Sequence, residues 1–147
     1  MIDVANKRGI RIDYQKLMRK LHVPVIPVIA RTGKGSDDML NALTDHHISK
    51  QRPLKINYGE AIENLLQQLQ QAMPSQLKLE KAQYRFLAIQ YLLKNPSVLT
   101  YLDSQTCDAL NDIKNAFMST HTIDIEHHIV QCRQSYIDAI LADVVQY

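Results

Sequence analysis

Val28–Ser36 reads VIARTGKGS. Two glycines around a lysine, placed after an apolar run and before a serine, are residue types that can curl backbone N–H groups around an anion. A phosphate-binding P-loop requires Gly-x-x-x-x-Gly-Lys-Ser/Thr, with the hydroxyl on magnesium. Here Gly33-Lys34 is followed by Gly35, and Val28 occupies the place of the first glycine, so the loop fails that pattern at both ends. A loop after a strand in an open α/β sheet can instead hold a base, because ligands sit at the carboxyl ends of the strands, where Ala30–Thr32 fall. A backbone N–H there donates to the carbonyl oxygen of guanine, which adenine lacks. Spacing alone leaves a second possibility open: a plain strand-to-helix turn with glycines supplying positive φ.

Other reactive residues give weaker patterns. The chain has six histidines, two of the pairs adjacent: His46-His47 and His127-His128. Neighbours on a helix point about 100° apart, so neither pair forms an i,i+4 metal clamp. His121, Asp124, Glu126 and His127 cluster in sequence, but a solvated helix start accounts for them, and no metal site is expected. Lys7, Arg8, Arg11, Lys16, Arg19 and Lys20 could face anionic lipid. Asp3 and Asp13 interrupt that stretch, and ordinary solvated helix faces explain it as well. Cys107 and Cys132 are too far apart for a CxxC pair or a zinc knuckle. Both sit at apolar helix positions, which points to core packing rather than a nucleophile. No catalytic residue is assigned.

The elements that would position the loop divide the chain into two regions. Up to about residue 50, Tyr14–His22 reads as a helix capped by Asp13, with Tyr14, Leu17, Met18 and Leu21 on one face. Val23–Ala30, VPVIPVIA, reads as a buried strand kept near a sheet edge by Pro24 and Pro27. The glycine turn and a helix over Asp37–Thr44, with Ser36 as its cap, complete strand, turn and helix, half of an α/β repeat. The neighbours of a single strand must come from elsewhere. From residue 51 to 147 the pattern is helical. Ile62, Leu65, Leu66, Leu69 and Met73 mark a helix stopped by Pro74, and a second runs from about Lys78 to Lys94, before Asn95-Pro96. Two more cover Ser97–Phe117 with a break near Asp103-Ser104. The last, Asp124–Val145, buries Ile125, Ile129, Cys132, Tyr136, Ile140 and Val144. The expected fold is mainly α: a partial α/β domain over 1–50 followed by a five-helix domain over 51–147.

At 147 residues and 46% apolar the chain can bury one ordinary core or two small ones. A net charge of +2 and the absence of tryptophan give no support to nucleic-acid binding. No apolar run approaches the roughly 18 residues that span a bilayer, no secretory signal is evident, and a reduced cytoplasmic setting is expected.

The opening MIDVANKRGIRIDYQKLMRKLHVPVIPVIARTGKG closely resembles the second half of the GTP-binding domain in the ferrous-iron transport protein B family (FeoB). In that family the segment follows an asparagine, completing an Asn-x-x-Asp guanine-recognition motif of which Met1-Ile2-Asp3 would be the last three residues. The resemblance implies that Asp3 accepts the ring N–H and exocyclic amino group of guanine, a task suited to an acceptor-only, bidentate carboxylate. Without it, a helix cap ahead of Val4–Arg8 is the simpler role for Asp3. IARTG is similar to the family's Ser-Ala-x-x-Gly loop, with Ile29 in place of Ser. Ala30 would supply the N–H to the guanine oxygen, and Arg31 and Thr32 would flank the base.

INYGEAIE at 56–63 and QCRQSYIDAI at 131–140 resemble the start and the last helix of the family's helical cytosolic domain. The resemblance implies GTP or GDP as ligand, with magnesium only alongside a P-loop half that this sequence lacks. Hydrolysis by these residues alone is not expected, because phosphoryl transfer runs on the missing parts. Implied partners are the remainder of the nucleotide domain and the transmembrane iron channel of the same protein, on the cytoplasmic face of the bacterial inner membrane. The helical domain would restrain nucleotide release and couple it to the channel. A stand-alone helical interaction module without a nucleotide is the competing expectation.

Overall fold

A computed structural model describes residues 2–44 and 54–146. Met1, the His46-His47 pair and the expected boundary at 50/51 lie outside them. The structure is mainly helical, and it forms two compact units: Met1–Lys55 together with Gln134–Tyr147, and Ile56–Arg133.

In the first unit, α1 (Ile2–Lys7) ends at Gly9, whose φ of 77° lets Ile10 N–H fold back onto the Ala5 carbonyl at 3.0 Å. The chain then enters β1 (Arg11–Ile12), which pairs antiparallel with β2 (Val145–Gln146), Arg11 opposite Gln146 and Ile12 opposite Val145. α2 (Tyr14–Leu21) starts where expected: the Asp13 carboxylate accepts from Lys16 N–H at 2.9 Å, and the helix stops at His22 in the left-handed region.

The expected strand over Val23–Ala30 is the main local difference. Among the described residues this stretch joins no ladder, and its single bridge is Ile29 to Lys34 across its own turn. Pro24 and Pro27 have no N–H to offer a neighbour, and the only described strands, β1 and β2, pair with each other. Gly35 shows how tightly the turn closes. Its φ is 85°, and a Cβ there would lie 2.3 Å from the Pro27 carbonyl oxygen. The helix expected over Asp37–Thr44 is α3 (Ser36–Thr44), which takes in Ser36 as its first residue instead of leaving it as the cap.

The second unit is built around α4 (Glu60–Ala72). Ile62, Leu65, Leu66 and Leu69 form its inner stripe and are at most 1% exposed. The stripe packs against α5 (Lys81–Leu92) and α6 (Ser104–Thr120), where Ala88 and Leu110 are fully buried. Burying side chains of this kind stabilises by about 1.5–3 kcal/mol each. Pro74 ends α4 as read, and a 3-10 turn follows over Ser75–Leu77. α5 begins three residues later than expected, because Lys78 takes a left-handed conformation and Glu80 with Gln83 forms a capping box. The first of the two helices expected over Ser97–Phe117 is a 3-10 segment, Pro96–Tyr101. Asp103 then caps α6 by accepting from Thr106 N–H at 2.8 Å. α7 (Ile125–Val144) is the last helix, with Ile125 and Ile129 buried in the second unit's core and Ile140 and Val144 buried in the first unit.

Candidate functional site

Asp3 lies in the first turn of α1 and is half-buried. The helix starts before it, so Asp3 is not a cap preceding Val4. An acid here sits at the positive end of the helix dipole.

Ala30, Arg31 and Thr32 come together on one exposed turn. Its ends are tied by Ile29 N–H donating to the Lys34 carbonyl at 3.0 Å. Thr32 is used internally: its N–H and its hydroxyl both donate to the Ile29 carbonyl, at 3.1 and 3.4 Å. Among the described residues the N–H groups of Ala30 and Arg31 have no acceptor, so the turn presents unspent donors to solvent. Arg31, also exposed, adds a guanidinium next to them. Such a turn can give one directed hydrogen bond to a carbonyl oxygen. α1 and this turn belong to the same unit, with β1 and α2 between them in the chain.

What holds those intervening elements is a set of contacts that no local pattern announces. Asp13 N–H donates to the Val144 carbonyl at 2.8 Å, and Lys16 Nζ donates to the Asp143 carbonyl at 3.1 Å. The Asp143 carboxylate pairs with Lys20 and lies 3.6 Å from Lys16 Nζ. The hydrogen bond from Lys20, aided by the charge of Lys16, holds the Asp143 carboxyl below the usual carboxylate range. Tyr136 donates its hydroxyl to the Lys20 carbonyl at 3.0 Å. Two members of the basic stretch, Lys16 and Lys20, are therefore engaged with Asp143.

The other singled-out residues have structural roles in the second unit. Asp124 caps α7 by accepting from His127 N–H at 3.1 Å, Glu126 pairs with Lys94, and His121 stacks on Phe117 at 4.2 Å. Among the described residues no three metal-capable side chains converge. Cys107 and Cys132 are half-buried free thiols beside the core. Cys132 Sγ is 3.6 Å from His128 Nε2, which sits 2.7 Å from the Tyr58 carbonyl. Among the described residues no helix is long and apolar enough to cross a membrane.

The sequence model described as FeoB cytosolic helical domain matches residues 58–146, and that described as ferrous iron transport protein B matches residues 1–43. The fold is that of part of a FeoB G domain together with a helical domain. It superposes with a TM-score of 0.79 on a GDP-bound mutant of the S. thermophilus FeoB G-domain, at 22% identity, covering 99% of this chain and 56% of that one. A mGMPPNP-bound NFeoB from S. thermophilus gives 0.77 at 23% identity, covering 97% and 53%. The chain belongs to the FeoB family. It is 39% identical over 148 residues to the Fe(2+) transporter FeoB of Staphylococcus aureus (strain MSSA476), covering 100% of this chain and 22% of that protein. It is 32% identical over 92 residues to the Escherichia coli (strain K12) Fe(2+) transporter FeoB, covering 63% of this chain and 12% of that protein. The match thus spans about a fifth of the length of the first of these curated relatives and about an eighth of the second.

Proposed function

We infer that this chain forms the base-recognising part of a G domain, over residues 1–50, and a helical regulatory domain, over 51–147, in the cytosolic GTPase region of a ferrous-iron uptake transporter. Asp3 accepts the ring N–H and exocyclic amino group of guanine. Ala30 N–H donates to its carbonyl oxygen, and Arg31 and Thr32 flank the ring. The observation that carries this reading is the exposed Ala30–Thr32 turn, whose Ala30 amide has no acceptor among the described residues, in a segment that matches the ferrous iron transport protein B model over residues 1–43. GTP or GDP is the ligand, and magnesium enters with the remainder of the G domain, the chain's first partner. That remainder also supplies neighbours for the unladdered Val23–Ala30 segment. The transmembrane iron channel is the second partner, at the cytoplasmic face of the bacterial inner membrane. The helical domain restrains nucleotide release and couples it to the channel.

Comparing GDP and ADP binding to the full-length transporter, with and without Asp3→Asn, tests the base reading. Each charge-assisted hydrogen bond contributes about 1.5–3 kcal/mol, so losing the paired acceptor lowers guanine preference by at least about tenfold. Xanthosine diphosphate, which carries an oxygen in place of the amino group, gains affinity for the Asn variant. Unchanged selectivity among the three would overturn the assignment.

A further inference from the structure

We propose that the C-terminal end of α7 is a clasp that sets how long nucleotide is retained, acting by fixing α2 between the two base-contacting segments. The inference rests on the base-site reading above and adds to it the residues that control release.

α2 is the element through which the chain passes from the segment carrying Asp3 to the turn carrying Ala30. Both of its ends are fastened to the C-terminal half of α7. At its start, Asp13 N–H and Lys16 Nζ donate to the carbonyls of Val144 and Asp143. Those two carbonyls lie in the last turn of α7, where helix geometry leaves acceptors unpaired, so α2 serves as their cap. At its end, Lys20 offers its carbonyl to Tyr136 and its ammonium to the Asp143 carboxylate. β1 and β2 extend the same connection one step further, toward α1.

The charge pattern indicates that this arrangement serves positioning. An acid in the last turn of a helix faces the negative end of the helix dipole and weakens the helix that carries it. Asp143 is such an acid, and among the described residues its ion-pair partners are Lys16 and Lys20 of another element. A residue that costs its own helix and gains through α2 is placed to join the two. The pair is also partly solvated, with side chains 34–45% exposed. Exposed pairs of this kind contribute little individually, so the clasp is a weak, reversible fastening. With it closed, Asp3 and the Ala30 turn keep one spacing. With it open, α2 can shift, and the two contacts no longer meet the same base.

The test is release of GDP bearing a fluorescent ribose substituent from the full-length transporter, chased with excess GDP. Asp143→Lys is expected to raise the release rate about two- to fivefold, the range set by exposed ion pairs. Lys16→Glu with Lys20→Glu and Asp143→Lys, which restores opposite charges, brings the rate back. Asp138→Lys, a charge reversal on the same helix outside the clasp, leaves it unchanged. Should Asp143→Lys not fold, Asp143→Asn is compared with the unsubstituted protein across ionic strength. Their release rates are expected to differ at low salt and converge at high salt. Guanine preference over ADP is retained throughout, because no base contact is altered. Selective GDP binding with equal release rates for Asp143→Lys or Asp143→Asn refutes the clasp and leaves the base site standing. Loss of guanine preference in the unsubstituted protein would refute the base site itself. A charge-restored variant that stays as fast as Asp143→Lys would also refute the clasp.

Discussion

Arg85→Ala is expected to loosen the start of the helical unit more than any exposed charge substitution. Arg85 forms a two-pronged contact with Glu63, Nη1 to Oε2 at 2.7 Å and Nη2 to Oε1 at 2.8 Å, and Nη2 also donates to the Ile56 carbonyl at 2.9 Å. The guanidinium carbon sits 5.6 Å from the centre of the Tyr58 ring, while Glu63 Oε1 accepts from Tyr58 N–H at 3.0 Å. The side chains are only 15% and 22% exposed, so water replaces these contacts poorly. Breaking a fully buried pair costs about 3–5 kcal/mol. Partial solvent access lowers that figure here, giving an expected loss of about 2–3 kcal/mol. Arg85→Lys keeps the charge but not the fork and loses about half as much. Glu63→Leu with Arg85→Leu costs less than the two single losses added together, because neither partner is left alone. Urea denaturation followed by far-ultraviolet circular dichroism gives the stabilities, and hydrogen exchange of the Tyr58 amide reports the local effect. A loss below about 0.5 kcal/mol for Arg85→Ala, with Tyr58 exchange unchanged, would refute the reasoning, placing the pair with ordinary surface ion pairs.

Leu66→Ala removes a side chain that is 0% exposed in the α4 stripe, and a loss of about 2–5 kcal/mol in the same denaturation assay is expected. Gly35→Ala forces a Cβ to within 2.3 Å of the Pro27 carbonyl at a φ of 85°. A cost of at least about 1–3 kcal/mol should appear as lower GDP affinity of the full-length transporter, since the Ala30 turn has to open. The Asp143 carboxyl is held below its usual range by Lys20 and Lys16, so its stabilising effect is complete above the unfolded carboxylate pKa of about 3.9. It is lost as pH falls through the lower folded value. The Asp143 carboxyl carbon resonance followed by NMR during acid titration should therefore reach its midpoint at a lower pH than Asp143 does in a Lys16→Ala, Lys20→Ala variant. Equal midpoints would contradict the pairing.

Much of the helical layout is legible locally because caps and stops are short-range devices. Asp13 before Tyr14, Asp103 before Ser104, Pro74 after Met73 and Asn95-Pro96 each act through a backbone group within a few residues. The α4 stripe is readable for a similar reason, since a period of 3.6 residues repeats regardless of what covers it. Lys78 is less legible: its left-handed conformation and the Glu80–Gln83 box move the start of α5, though the Glu-x-x-Gln spacing offers a signal. Val23–Ala30 shows the opposite limit. Its composition suits a strand, but a ladder needs a neighbour, and apolar β-branched residues do not specify one.

The sequence by itself determined which stretches are helical, where Asp13 and Asp103 cap them and Pro74 stops one, which α4 face is apolar, and which short stretches resemble a guanine-binding loop, because these depend on neighbours along the chain. Tertiary structure alone decided that Arg11–Ile12 pairs with Val145–Gln146, that Asp143 joins Lys16 and Lys20, and that Arg85 meets Glu63. Each of these contacts joins residues from 22 to more than 130 positions apart, and nothing in charge or local propensity ranks one such partner over another. Only the packing of the elements brings the right donors and acceptors within reach.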